Sequence, residues 1–244
     1  MKPKYLPVIG LLSGIGPLAG ADVYRKMLAY ASSTYDAAED SDYPTILLFN
    51  RGIPGVGDTA DPSDIFKDEL CRGIARLQAG GATVIGIACN TAHMYYETFP
   101  VKRGSVTLHL LDEVAKRAAD DKGKILILSS HTTRTHGLYK HFLDVHNVTA
   151  APVPNRLQHI LDEVIGRVMA HDVATAGHIL DDVLTYALVK GYKTIIAGCT
   201  ELPLALAASK LASHFEIIDS NQVLAESLVD LYYIAYESHC SSGK

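Results

Sequence analysis

Short apolar runs recur along this chain, and a helical pattern follows almost every one. The runs are LPVIGLLSG (6–14), TILLFN (45–50), TVIGIA (83–88), KILILSS (124–130), KTIIAG (193–198) and FEIID (215–219). Helical patterns are expected at 17–32, 63–78, 110–121, 135–145, 156–170, 173–189 and 221–238. In the second of these Phe66, Leu70, Ile74 and Leu77 share one face, and Gly80 and Gly81 stop it. Such βα alternation predicts α/β architecture with parallel sheets covered by helices on both faces. A chain of 244 residues has room for two such sheets, at roughly 100–150 residues per domain.

Two segments match each other. GGATVIGIACNTAHMY (80–96) and KGYKTIIAGCTELPLA (190–205) each carry a glycine, a short strand, a cysteine and a threonine soon after. Gly81 precedes Cys89, and Gly191 precedes Cys199, by the same eight positions. The spacing points to a duplicated βα unit and two pseudo-symmetric, Rossmann-like domains. We place the first at 1–105 plus 214–244, completed by the C-terminal helix, and the second at 106–213. In open parallel sheets ligands bind beyond the carboxyl ends of the strands, where both cysteines fall. Two domains facing each other would set one thiol on each side of a cleft.

A buried cysteine is ordinarily a packing residue, but two at matched strand ends, each followed by hydroxyl and polar groups, fit packing poorly. They fit inversion at a carbon acid. A thiolate on one face takes the α-proton, a thiol on the other returns one, and the roles exchange for the opposite enantiomer. Cysteine suits the task because its reference pKa, about 8.5, brings both forms within reach of neutrality.

Other residues gather around this reading. SGIGPLAG (13–20) turns from a strand into a helix, and the backbone N–H groups about Ser13, Gly14 and Ile15 can hold a carboxylate. Asn90, Thr91 and Thr200 follow the cysteines as donors or as helix caps, and Ser130 and Thr133 come from another polar strand end, SSHTTRTHG (129–137). His93 stands close enough in sequence to lie near Cys89 if a helix begins beside that thiol, and Glu201 to orient a thiol or hold a substrate amine, although a carboxylate raises a thiol's pKa. Cys71 reads as packing on its helix and Cys240 as an incidental thiol of the tail.

Several classes are disfavoured. The net charge of −5 argues against a broad basic face for nucleic acid. No apolar stretch reaches the ~18 residues of a membrane span, and Pro7 and Gly10 interrupt the N-terminal apolar run as no signal peptide would be. There is no CxxC, no metal-ligand spacing and no P-loop or GxGxxG. We expect a cytoplasmic protein acting on a small molecule, with no cofactor, metal, nucleic acid or membrane partner.

GLLSGIGPLAG, ACNTAH and AGCTE, in this order, resemble the motifs of the aspartate/glutamate racemase family, the pyridoxal-phosphate-independent amino-acid racemases, from about residue 6 to 235. The resemblance implies two α/β domains with the active site between them, often in a homodimer. It implies Cys89 and Cys199 as acid and base, and Asn90, Thr91, Thr133 and Thr200 as substrate-holding residues. Aspartate-specific members carry an arginine after an IP turn; in NRGIPGVGD (50–58) Val56 falls there, with Asn50 and Arg51 nearby. A family lysine falls near Ala170, between Arg167 and His171. The leading expectation is racemisation of aspartate or glutamate. The alternatives are another reaction on this scaffold, of hydantoin racemase, maleate isomerase or malonate decarboxylase type, or a ligand-binding protein without turnover.

Overall fold

The computed structural model describes residues 6–53, 62–121 and 123–241, with the side chains of 62, 63 and 239–241 excepted. Val56 and the Cys240 side chain therefore lie outside the described residues. Two compact units are present. Among the described residues, those up to Ala88, Tyr95–His109 and those from Leu224 onward form one; Cys89–Met94 and Leu110–Val223 form the other.

The first unit is built on a parallel sheet of β1 (Ile9–Ser13), β2 (Ile46–Asn50), β3 (Val84–Ile87) and β4 (Val106–Thr107), in the order β2-β1-β3-β4. Helices α1 (Pro17–Tyr35) and α2 (Pro62–Ala79) pack on β1. The expected face of α2 is in the core: Phe66, Leu70, Ile74 and Leu77 are all buried. The 3-10 helix Thr91–Thr98 begins in the second unit and ends in this one.

The second unit repeats the topology. Its strands β5 (Ile125–Leu128), β6 (Ala150–Pro152), β7 (Thr194–Ala197) and β8 (Glu216–Asp219) form a parallel sheet in the order β6-β5-β7-β8. Its helices are α3 (Leu110–Ala118), α4 (His131–Thr135), α5 (Lys140–Val145), α6 (Asn155–Met169), α7 (Val173–Val189) and α8 (Leu202–Ala208). Helix α9 (Ser220–Ser241) starts here and continues into the first unit, where Leu224 and Leu228 close over Gly86 of β3. Strands β1, β3, β5 and β7 are buried throughout, as strands covered on both faces must be.

Three expectations are corrected. The helix expected at 135–145 is two short helices, α4 and α5, because the chain turns at Gly137 with φ 58, a left-handed conformation that glycine adopts without steric cost. The helix from Leu110 ends at Ala118 rather than 121. Strands β4 and β6 were missed. Both are short edge strands, and β6 contains Pro152, whose lost N–H is tolerated only at an edge. Among the described residues no helix is long and apolar enough to cross a membrane.

Helices α7 and α8 meet at Gly177, where a Cβ would lie 2.6 Å from the carbonyl carbon of Ala208. Backbone cannot swing aside as a flexible side chain does. Gly177→Ala should destabilise the second unit by about 1–3 kcal/mol, read as a lower urea midpoint; an unchanged midpoint would refute this contact.

Candidate active site

Cys89 and Cys199 each stand two residues beyond a strand, β3 ending at Ile87 and β7 at Ala197. These strands hold the same place in the two sheet orders. Both thiols are free, buried and part of the second unit.

Their surroundings differ. Backbone N–H groups of Ala92 and Thr91 point at Cys89, because the chain coils into the 3-10 helix directly after it. His93 joins this turn through Nδ1, 2.9 Å from the Cys89 carbonyl. Cys199 instead donates its S–H to Glu201 Oε2 at 3.0 Å. Thr200 Oγ1 donates to the same oxygen at 3.2 Å. Glu201 occupies the N-cap position of α8 but makes no side-chain cap; its carboxylate turns to the thiol.

Burial dominates the electrostatics. It pushes the Cys89 thiol up to about 12, with the Glu201 charge adding to the effect and the Ala92 and Thr91 N–H groups opposing it. Cys199 is raised well above its ordinary value by burial, then by the Glu201 charge, by its hydrogen bond to that carboxylate and by Cys89; the backbone N–H of Glu201 opposes this. Glu201 is itself raised by burial, against the hydrogen bonds it receives. The Glu201 charge thus raises both thiols and Cys89 raises Cys199, so the protons belong to the group as a whole.

Beside the thiols is a cluster of hydroxyls. Thr91 Oγ1 lies 2.8 Å from Thr133 Oγ1 and 3.2 Å from Ser130 Oγ. Ser130 also caps α4 by accepting the N–H of Thr133. Asn90 is 2% exposed and donates from Nδ2 to Ser220 Oγ at 3.1 Å. Asn221 donates to the carbonyl of Thr200. The second unit therefore gathers Cys89, Asn90, Thr91, Ser130, Thr133, Cys199, Thr200 and Glu201.

The remaining candidates form a group within the first unit. Ser13, at the end of β1, donates from Oγ to Asn50 Oδ1 at 3.0 Å. Gly14 has φ 103, and a Cβ there would strike the Arg51 carbonyl, so the turn requires glycine. Ile15 is half-buried between Gly14 and Gly16. The Arg51 guanidinium is paired with Glu69 at 2.5 Å. Ala170 is the exposed C-cap residue of α6, and Arg167 pairs with Glu163 and Asp172. Cys71 is half-buried and donates to the Thr98 carbonyl at 3.4 Å. Among the described residues no group of three or more His, Cys, Asp or Glu could hold a metal ion.

Sequence reasoning overlooked Tyr139, Ser220 and Asn221. Tyr139 Oη donates to Asn90 Oδ1 at 2.5 Å. Nothing in GLYKHF marks that tyrosine as part of a site; only Gly198, directly before Cys199, hints that a large group comes close there.

The two parallel α/β sheets, with buried thiols beyond two strand ends, form a scaffold shared with known isomerases. Residues 12–228 match the family model for Asp/Glu/Hydantoin racemase. The broad specificity amino-acid racemase RacX of Bacillus subtilis (strain 168) is 28% identical over 95% of this chain and 100% of its own. Picrophilus torridus aspartate racemase superposes with a TM-score of 0.79 at 26% identity, covering 95% of this chain and 99% of that one. An aspartate racemase homologue from Pyrococcus horikoshii OT3 shares the fold, with a TM-score of 0.73 at 22% identity over 93% and 100% of the two chains. The chain belongs to the Asp/Glu/hydantoin racemase family, and it is an isomerase.

Two predictions follow from the electrostatics. Glu201→Gln removes a negative charge beside both thiols, so each thiol's pKa falls. Alkylation of Cys89 and Cys199 by iodoacetamide at pH 8 should rise about threefold to tenfold, since the thiolate is the reactive form; unchanged rates would refute the assigned contact. The second concerns stability. The folded state holds the Cys89 proton up to about 12 against an ordinary 9.0. The resulting stabilisation is complete below pH 9 and is lost as pH climbs from 9 towards 12. Cys89→Ser should remove this part of the alkaline decline in urea midpoint, and identical slopes in the two proteins would count against it.

Proposed function

We propose that this protein racemises a free amino acid by moving a proton at Cα between Cys89 and Cys199. The carrying observation is the pair of buried thiols at equivalent strand ends, with Cys89 adding to the cost of ionising Cys199. One thiolate removes the α-hydrogen as a proton, the Cα–H electron pair stays on carbon, and the opposite thiol protonates the other face. The product is the enantiomer, and the two sulfurs have exchanged protonation states. This scheme needs no cofactor.

The substrate supplies what the free site lacks. Cys89, Cys199 and Glu201 are all acids, and an amino acid's ammonium group among them favours a thiolate. Binding and activation of the base are thereby linked. The hydroxyls of Thr91, Ser130, Thr133 and Thr200 are the groups we assign to the substrate's polar atoms.

The family motifs put aspartate and glutamate first as substrates. One observation favours a second reading. Arg51, the residue standing near the expected side-chain arginine, is held by Glu69, which also pairs with Arg72; a guanidinium tied to that carboxylate favours amino acids without a second carboxylate. The broad specificity of the RacX relative supports the same reading.

The test is the purified protein in D₂O with single enantiomers of aspartate, glutamate and a panel of neutral and basic amino acids. Racemisation should place deuterium at Cα of the product. Cys89→Ser and Cys199→Ser should each lower turnover by about 10²–10⁴-fold. A fully active single mutant would refute the two-thiol scheme, and no Cα exchange with any of the panel would refute amino-acid racemisation itself.

A further inference from the structure

Tyr139 touches both thiol-bearing turns. It is 4% exposed. Its hydroxyl donates to Asn90, the residue after Cys89. Its ring lies against Gly198, the residue before Cys199, where a Cβ would come within 2.9 Å of Tyr139 Cε2 and 3.1 Å of the Leu128 carbonyl. Only glycine lets the ring sit there.

The Asn90 amide is fixed at both ends. Oδ1 accepts from Tyr139 and Nδ2 donates to Ser220 Oγ. The next residue, Asn221, holds the carbonyl of Thr200, which follows Cys199. Burial, with Cys199 adding to it, raises the Tyr139 pKa, so the phenol keeps its proton at working pH and acts as a donor.

We propose that Tyr139 is a positioning residue for the proton transfer: through Asn90 and Gly198 it sets the Cys89 turn against the Cys199 turn. The two turns are far apart in sequence, so the chain itself does not fix their separation. Two groups that must address opposite faces of one carbon need that separation held closely, since a displacement of about 1 Å can cost about 10²-fold in rate. The kinetic arm of the test rests on the racemase reading above; the chemical arm does not.

The experiment uses full-length Tyr139→Phe, Ser220→Ala and the double variant. Tyr139→Phe keeps the ring on Gly198 and removes the donor to Asn90. In D₂O, kcat for the variant should fall by about 10- to 100-fold while KM changes little. Ser220→Ala frees the other end of the same amide, so the double variant should lose no more than the worse single one. A Tyr139→Phe enzyme with wild-type kcat, or losses that multiply in the double variant, would overturn the proposal. Alkylation of Cys89 by iodoacetamide against pH, read by peptide mass spectrometry, gives a second measure. Its midpoint should move in Tyr139→Phe and in Ser220→Ala, and an unmoved midpoint in both would show a tyrosine that only packs. If wild-type protein exchanges no Cα proton, the racemase reading fails and the alkylation curves still decide the role of Tyr139. If Tyr139→Phe does not fold, Ser220→Ala tests the same clamp from its other end.

Discussion

Three acids share one buried space in the second unit, and their mutual repulsion is the constraint on which the site depends. Cys89, Cys199 and Glu201 each lose hydration, the Glu201 charge raises the cost of ionising both thiols, and Cys89 raises that of Cys199. The local structure answers that cost group by group. The chain coils tightly after Cys89 and turns two N–H groups towards its sulfur. Glu201 leaves the start of α8 uncapped and takes hydrogen bonds from Cys199 and Thr200. The proposed racemisation needs one proton held and one free near neutrality, and the substrate's ammonium group is the cation we assign to that change.

The parallel sheets explain why the acids meet where they do. A strand buried on both faces must be apolar along its length, so polar side chains first become affordable just past its end. Cys89 and Cys199 occupy that position after β3 and β7. The two sheets share one strand order, so a duplicated unit delivers a thiol to the same point of its topology twice. Helix α9, with Leu224 and Leu228 against Gly86, gives the first sheet a cover that comes from the far end of the chain.

Much of this was legible in the sequence, for physical reasons. Short buried strands announce themselves as apolar runs and amphipathic helices such as α2 by their period, and the equal Gly–Cys spacing pairs the two thiols in the sequence itself. Two of the four edge strands did not announce themselves, because β4 has only two residues and β6 includes Pro152. Gly137 splits α4 from α5 by its backbone conformation, and a glycine within a polar stretch does not declare its φ. Tyr139 was illegible for a different reason. Its contacts with Asn90 and Gly198 span 49 and 59 positions (139 − 90; 198 − 139), and no local pattern encodes a long-range hydrogen bond. The Arg51–Glu69 pair was hidden in the same way: the sequence showed a cation near the expected place but not that a carboxylate already held it.

The two halves of the duplication have diverged electrically. Cys89 faces N–H donors, which favour its thiolate, and Cys199 faces a carboxylate acceptor, which favours its thiol. Once one thiol ionises, these contacts favour the arrangement with Cys89 as thiolate and Cys199 as thiol. Enantiomers have equal free energies in water, so a racemase must have equal kcat/KM in its two directions. Asymmetry between the thiols cannot favour one enantiomer at equilibrium. Under the proposed racemisation it can only divide that common ratio differently, because the enantiomer whose α-hydrogen faces Cys89 meets the favoured arrangement of the two protons and the other does not. On the proposed mechanism Glu201 and the turn after Cys89 are the groups that set how unequal kcat and KM become in the two directions.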